Sequence, residues 1–212
     1  MQITFLLYEG MTALDAIGPL EVLSRLPGIT IKLAGLQAGV IGTCSGLKLL
    51  ADSSIFDIEH TDVLLVPGAG TATALKEYPE LLAWIKKIHE TTTWTISVCT
   101  GGLILGAAGL LTGVRATTHW AVMDRLAKWG AIATHQRVVE SGKIITAAGV
   151  SAGIDMALLF AAKVAGEEVA KSIQLGIEYD PEPPFNSGSI EKASPEVVQA
   201  LRNKLKIRFE QQ

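Results

Sequence analysis

One cysteine stands where a β-branched run meets a glycine-rich helix start, within residues 94–111 (WTISVCTGGLILGAAGLL). Cys99 would end a strand, and the step from Gly101 to Gly102 would open an apolar helix. Such a strand–helix turn can present a nucleophile, as the serine nucleophile elbow does. We expect the N–H groups of that helix start to lower the pKa of the thiol. The alternative is a small buried core cysteine, because free cysteines are often buried.

Two carboxylates follow the first apolar run and are candidates for general acid–base work beside that thiol. Asp15 lies where a loop becomes a helix, and Glu21 lies six residues further on. Asp15 can equally cap the helix, and Glu21 can equally lie on its solvated face. The spacing alone leaves both interpretations open for both residues.

A glycine-containing turn follows the buried run 62–66 and supplies a second set of backbone donors. Its residues are Gly68, Ala69 and Gly70. Glycine lets backbone N–H groups approach a ligand closely, so this turn and the N–H groups after Cys99 are a candidate oxyanion hole. The turn lacks the Gly-Lys-Ser/Thr ending of a phosphate-binding loop.

A cysteine nucleophile is often paired with a histidine, so each histidine is a candidate base. His119 lies at a strand-to-helix junction and could reach the sheet edge, although a packed or capping role is the alternative. His60, His89 and His135 lie in segments that we expect to be exposed. No histidine is an evident base, which argues against a papain-like protease.

The composition is that of an ordinary globular protein, with 212 residues, 49% hydrophobic and 18% charged. We expect one domain spanning residues 1–212. The net charge is -3 and no cluster of basic residues stands out in the sequence, so we expect no nucleic-acid partner. We also expect no membrane span and no signal peptide, which favours a cytoplasmic protein with reduced cysteines. Two cysteines and four histidines show no zinc spacing, so no metal is expected.

Apolar runs alternate with helical patterns along the chain, which predicts an α/β fold with a mostly parallel central sheet. We predict strands over 3–8, 29–35, 62–68 and 93–98, and a hairpin over 137–146. Helices are predicted over 12–26, 79–90, 120–129, 151–165, 167–179 and 194–210, and an irregular or hairpin-like segment over 43–52. Because ligands bind beyond the carboxyl ends of parallel strands, we expect residues 8–15, 68–70 and 99–100 to converge there.

These residues resemble the ThiJ/PfpI superfamily, which is class I glutamine amidotransferase-like, and within it the enzymes that hydrate isocyanides. The segments that carry the likeness are Leu14-Asp15 with Gly18-Pro19, Val66-Pro67-Gly68, Ser97-Val98-Cys99-Thr100-Gly101, Arg115-Ala116-Thr117-Thr118-His119-Trp120, Ala152-Gly153-Ile154-Asp155 and Pro183-Pro184-Phe185-Asn186. They occur in order over nearly the whole chain. Two departures are the Gly-Ala-Gly turn, where Gly-Gly-Thr-Gly is frequent, and Val150, where isoleucine is familiar.

The resemblance implies a flavodoxin-like three-layer sandwich that works as a homodimer without a cofactor. It implies Cys99 as the nucleophile, Asp15 as the general acid/base and Thr100 as their active-site neighbour. The implied substrate is a small isocyanide, converted to an N-formamide through a cysteine thioimidate. We expect Trp120, Val150 and Phe185 to line a pocket for its apolar substituent.

Two other functions remain open for the same thiol. One is a glyoxalase- or deglycase-like activity on dicarbonyls. The other is a redox- or ligand-sensing module in which Cys99 is oxidised.

Overall fold

The computed structural model describes residues 1–70 and 78–210, with side chains described as far as Leu205 in the last helix. The strands are β1 (Gln2–Leu6), β2 (Thr30–Gly35), β3 (Gly39–Gly42), β4 (Lys48–Ala51), β5 (Ser53–Ser54), β6 (Val63–Val66), β7 (Trp94–Val98), β8 (Arg115–Ala116), β9 (Ile132–Ala133), β10 (Val138–Ser141) and β11 (Ile144–Ala147). The α-helices are α1 (Ala13–Leu23), α2 (Pro79–His89), α3 (Gly101–Ala107), α4 (Ala152–Ala165), α5 (Glu167–Gly176) and α6 (Pro195–Glu210). Two 3₁₀ helices span Ile55–Asp57 and Trp120–Trp129.

Seven strands form one sheet in the order β10-β11-β7-β6-β1-β2-β5. Every neighbouring pair is parallel except β10 with β11. The central strand β6 has four residues, Val-Leu-Leu-Val, and all four are buried. A continuous apolar run of this kind is typical of a parallel strand covered on both faces. Helices flank the sheet, which confirms the α/β fold that the alternating pattern predicts and the flavodoxin-like sandwich that the resemblance implies.

The strand order brings the ends of four neighbouring strands to one edge of the sheet. The chain leaves β1 toward Asp15, β6 toward Gly68, β7 toward Cys99 and β11 toward Val150. The neighbours of β1, which are β2 and β6, lie on its two sides, so the strand order reverses there. Such a reversal opens a crevice beyond the carboxyl ends of the strands.

The helices α1 and α4 cross closely behind this edge, because a glycine in each helix faces a side chain of the other helix. A Cβ on Gly18 of α1 would lie 2.9 Å from Cγ1 of Ile154 in α4. A Cβ on Gly153 would lie 3.1 Å from both Pro19 Cγ and Val98 Cγ1. The α1–α4 crossing therefore packs directly against the last residue of β7.

Most predicted elements are present, with some differences in type and length. The 43–52 segment belongs to an antiparallel hairpin of β3 and β4. The 137–146 hairpin turns at Gly142, which has a φ of 59°. The helix expected over 120–129 is a 3₁₀ helix that is bent at Val122, whose φ of -132° is not helical. It ends, as predicted, at Gly130, whose φ of 72° is left-handed.

No helix in the described ranges 1–70 and 78–210 combines the length and the apolar character that a membrane crossing requires.

Candidate active site

Cys99 adopts the strained backbone of a nucleophile elbow between β7 and α3. Its φ is +57°, a left-handed conformation that non-glycine residues seldom adopt. The surrounding bonds hold it there, since Cys99 N donates to Ala148 O over 2.8 Å and Thr118 Oγ1 donates to Cys99 O over 2.8 Å. Strain of this kind costs about 1–3 kcal/mol and persists only where the surroundings enforce it.

Gly101 lets the elbow pack against the end of β6. A Cβ at this position would lie 2.2 Å from Val66 O and 3.0 Å from Pro67 O. The backbone of α3 therefore sits directly on the turn that follows β6. No larger residue fits there without moving one of the two segments.

Asp15 lies in the first turn of α1, fully buried beside the thiol. Its Oδ2 accepts a hydrogen bond from Gly68 N over 2.8 Å. Its Oδ1 has no hydrogen-bond partner among the described residues, and the Cys99 thiol interacts with the carboxyl as its side-chain neighbour. Burial raises the pKa of Asp15 to about 7, although the bonds from Gly68 and Cys99 oppose the rise. Thr12 is the N-cap of α1, so Asp15 is not its capping residue.

Glu21, the second candidate carboxylate, lies on the solvent-exposed side of α1. Its side chain is 62% exposed and pairs with Arg25 over 3.0 Å on the surface of α1. Its interpretation as a solvated residue is therefore right, and Asp15 alone is directed toward the thiol.

The thiol of Cys99 is held neutral, contrary to the lowered pKa that the helix start predicts. Burial and the negative charge of Asp15 raise its pKa to about 12, and the N–H groups of Val150 and Thr100 offset only part of the rise. The sequence could not show this, because it places the thiol at a helix start without showing how deeply it is buried. The pair therefore carries at most one negative charge near neutral pH.

The turn after β6 holds these residues in place through its backbone. Ala69 N donates to Thr100 Oγ1 over 2.7 Å, and the same hydroxyl donates to Ala69 O over 2.7 Å. The N–H groups of Gly68 and Ala69, expected to serve as oxyanion donors, are thus engaged by Asp15 and Thr100. Gly70 follows them and is half-buried.

The segment before α1 is fastened to the same turn. Thr12 N donates to Gly68 O over 2.8 Å, and Met11 forms an antiparallel bridge with Ala69. The loops after β1, β6 and β7 are therefore joined into one hydrogen-bonded unit.

A cavity of about 480 Å³ opens beside this unit and is the candidate substrate pocket. Its lining includes Thr118 and Ala148, which bond the backbone of Cys99, and Val150, whose N–H bonds the sulfur. The large apolar side chains of the lining are Leu14, Trp120, Met123, Val150 and Ile190. A second cavity of about 560 Å³ lies beside the β3–β4 hairpin; its lining includes Tyr8 but not Thr118, Ala148 or Val150, which bond Cys99.

A sequence model of the DJ-1/PfpI family matches residues 1–163. The chain belongs to this family. It is 41% identical to an isonitrile hydratase of Pseudomonas putida over 99% of this chain and 94% of that protein. A deglycase of Thermococcus kodakarensis is 26% identical over 69% of this chain and 89% of its own length. The crystal structure of a ThiJ/PfpI family protein from Pseudomonas syringae superposes with a TM-score of 0.94 and 38% identity, covering 98% of this chain and 86% of that one.

His119 borders the pocket of this DJ-1/PfpI protein but has no hydrogen bond to the thiol or to Asp15. Its Nδ1 accepts a hydrogen bond from Ala121 N over 3.3 Å, which assigns the proton to Nε2. Burial lowers the pKa of the imidazole, so the ring is neutral near pH 7. The sequence-based view that no histidine is an evident base agrees with this geometry.

Some pocket residues lie outside the part of the chain that matches the DJ-1/PfpI family. Residues 188–191 line the pocket, as do Trp120 and Val150. Phe185, which we expected in the lining, is 79% exposed and is not part of it. Leu14, Met123 and Ile190 were missed, because only the folded chain brings the helix α1, the 3₁₀ helix and the C-terminal segment together.

Proposed function

We propose that this protein hydrates isocyanides to N-formamides, with Cys99 as nucleophile and Asp15 as general acid/base. The observation that carries the proposal is the Cys99–Asp15 pair, in which a fully buried carboxyl has a pKa of about 7. The similarity to an isonitrile hydratase over almost the whole chain supports the choice of substrate.

The first step adds the thiol across the terminal carbon of the isocyanide. The carboxylate of Asp15 accepts the proton of Cys99 Sγ as the sulfur attacks that carbon. Asp15 then gives the proton to the same carbon, and the product is a thioimidate, Cys–S–CH=N–R. The N–H groups of Val150 and Thr100 stabilise negative charge on the sulfur during the transfer.

Water completes the reaction at the same carbon. Its hydroxyl bonds to the carbon and its proton moves to the nitrogen, which gives a tetrahedral S–CH(OH)–NH–R adduct. The C–S bond then breaks, the electron pair leaves with the sulfur, and the hydroxyl proton passes through Asp15 to Cys99. The formamide is released, the thiol is restored, and the only co-reactant is water.

Backbone groups position this chemistry. Gly68 fixes the carboxyl of Asp15, while Thr100 links the elbow to Ala69 and acts as a positioning residue. Gly70 is the residue of the turn that remains a candidate oxyanion donor. The apolar lining near Trp120 and Val150 suits a hydrocarbon substituent on the isocyanide.

An activity on dicarbonyls is the second candidate, supported by the similarity to a deglycase. The same thiol would add to an aldehyde carbon instead of an isocyanide carbon. Redox sensing is the weaker alternative, because a thiol with a pKa of about 12 has little thiolate to oxidise.

Replacing Cys99 with alanine should abolish turnover of a small alkyl isocyanide, because alanine has no thiol to add to the isocyanide carbon. The measurement is loss of the isocyanide infrared stretch with formation of the formamide. Brief incubation of wild-type protein should also give a mass increase on Cys99 equal to one substrate molecule.

The matched control for that experiment is Cys44→Ala, which removes the other free cysteine, an exposed one. It should keep full activity. Turnover that survives Cys99→Ala would refute the proposal, and rapid loss of methylglyoxal without isocyanide turnover would favour the dicarbonyl activity.

We further propose that the chain forms one domain and works as a homodimer. Three packed helices expose large apolar side chains: Leu14 on α1, Leu159 on α4 and Leu175 on α5, which are 43%, 58% and 81% exposed. Exposed apolar side chains of this size are candidate contacts for another protein. A second copy of this chain is the partner that the proposal assigns to this helical layer. Both cysteines are free, which suits a reducing compartment, and we place the protein in the cytoplasm.

Replacing Leu159 with glutamate should shift the protein from dimer to monomer, because a charge would be buried in the interface. Light scattering after size-exclusion chromatography measures the mass. Ile132→Glu, at a residue that is 54% exposed on β9, is the control and should leave the dimer intact. An unchanged mass for Leu159→Glu would exclude this face as the interface.

A further inference from the structure

One wall of the substrate pocket comes from the segment after the family core. We call residues 187–191 the C-terminal strap. Four of its residues, from Gly188 to Glu191, line the 480 Å³ pocket together with Trp120. Val150, whose N–H bonds the sulfur of Cys99, lines the same pocket. The C-terminal strap and a residue that contacts the nucleophile therefore border one space.

The wall is thin, because a second space lies behind it. A cavity of about 70 Å³ lies on the α6 side of the wall and is lined by Val197, Val198 and Leu201. Trp120 and Ile190 line both this cavity and the substrate pocket. Removing part of either side chain would join the two spaces.

Trp120 is held from two sides. Its ring stacks at a tilt on His119 with 5.5 Å between the centroids. The guanidinium of Arg202 in α6 lies 5.6 Å from the centre of the Trp120 ring, within the range of a cation–π contact. Ile190, by contrast, is a half-buried aliphatic side chain with no polar contact to keep. It is the residue of the wall that can be shortened with least disturbance.

We propose that Ile190 of the C-terminal strap, backed by Trp120, sets the size limit for the substituent of the molecule that Cys99 attacks. The inference rests on the proposed function for its natural substrate class, the isocyanides. The effect of Ile190 on access to Cys99 applies to any electrophile that enters the pocket. Small isocyanides fit in front of the wall, whereas branched or aromatic ones reach it.

The test replaces Ile190 with alanine and measures two reactions. The first is kcat/KM for a short linear isocyanide and for a bulky aromatic one. We expect the ratio of bulky to small to rise by about tenfold or more, the order that hydrophobic pockets give for small changes of size. The second is the rate at which iodoacetamide and N-phenylmaleimide label Cys99, followed by mass spectrometry. The bulky reagent alone should react faster.

Two further variants keep the result interpretable. Ile190→Phe should lower the bulky-to-small ratio of kcat/KM and the bulky-to-small ratio of labelling rates. This outcome does not depend on whether the alanine variant loses stability. Ile177→Ala removes the same atoms from a half-buried isoleucine after α5 that does not line the pocket, and it should leave both ratios unchanged. Thermal melting of each variant reports whether the fold is retained.

The two reactions separate failure of the inference from failure of the proposed function. A size-dependent change in labelling without isocyanide turnover by the wild type would overturn the function and support the role of Ile190. Isocyanide turnover with equal changes for small and bulky reagents in Ile190→Ala and Ile190→Phe would overturn the role of Ile190 and leave the function standing.

Discussion

Asp15→Asn is expected to lower kcat by about 10²–10⁴-fold, the usual contribution of a general acid–base group. The amide keeps an oxygen that can accept the hydrogen bond from Gly68, so the geometry of the site should survive. It cannot accept the thiol proton from Cys99 or pass it to the substrate carbon. The loss should therefore appear in kcat, whereas KM should change little.

The pH dependence follows from the same carboxyl. The first step needs Asp15 ionised and Cys99 protonated. Asp15 has a pKa of about 7 and Cys99 one of about 12, so kcat/KM should rise with pH through about 7 and then level off. The inflection near 7 should be absent from the residual activity of Asp15→Asn. An inflection that persists in this variant would assign it to another group.

The same substitution should make the protein more stable at alkaline pH. Folding raises the pKa of Asp15 from 3.8 to about 7, so the folded state binds this proton more tightly than the unfolded chain does. Stability is then greatest below pH 4 or so, falls as pH rises toward about 7 and stays level above it. A difference of this size corresponds to roughly 4 kcal/mol at most. Asp15→Asn removes the buried charge and should recover a large part of this lost free energy of unfolding.

Thermal unfolding of both proteins at about pH 4 and about pH 8 measures this effect, which should reach several degrees at the higher pH and be small at the lower. Glu21→Gln is the matched control, because this exposed carboxylate lies on the same helix and should change neither activity nor the pH profile of stability. Equal stability of wild type and Asp15→Asn at about pH 8 would show that folding does not raise the pKa of Asp15.

Gly101→Ala is expected to have the largest effect on stability, about 3 kcal/mol or more. The added Cβ would lie 2.2 Å from Val66 O and 3.0 Å from Pro67 O. Because both oxygens belong to the backbone, no flexible side chain can give way. The elbow and the turn after β6 must then separate, which also moves Cys99 away from Asp15. Urea unfolding and the rate of Cys99 labelling measure the two consequences.

Gly176→Ala serves as the control for the change of glycine to alanine. No heavy atom lies within 4 Å of a Cβ built at Gly176, at the end of α5, and its backbone is not left-handed. Stability should stay the same or rise slightly there, because alanine favours a helix more than glycine does. Similar losses at both positions would mean that close packing is not the reason for Gly101.

The sequence predicts those parts of the molecule that depend on local pattern. Continuous apolar runs identify the central strands, and the alternation with helices predicts the parallel sheet. The elbow at Cys99 follows from a β-branched run that ends before two glycines. These features are readable because each is encoded in a few consecutive residues.

The electrostatic character of the site is not readable in this way. The raised pKa of Cys99 depends on how deeply the thiol is buried and on the charge of Asp15, which is 84 positions away in the chain. The engagement of Gly68 and Ala69 by Asp15 and Thr100 likewise arises only when three loops meet. Glu21 and Asp15 look alike in the sequence, and burial alone distinguishes them.

The hydrogen-bonded unit of the three loops has a consequence for how the catalytic groups move. Thr12 is tied to Gly68, and Ala69 is tied to both Met11 and Thr100. A carboxyl and a thiol fixed to one shared frame fluctuate together, so their separation varies less than the position of either. We therefore expect a small reorganisation energy for proton transfer between them, and we expect the amide hydrogens of Thr12 and Ala69 to exchange with solvent through one common opening event.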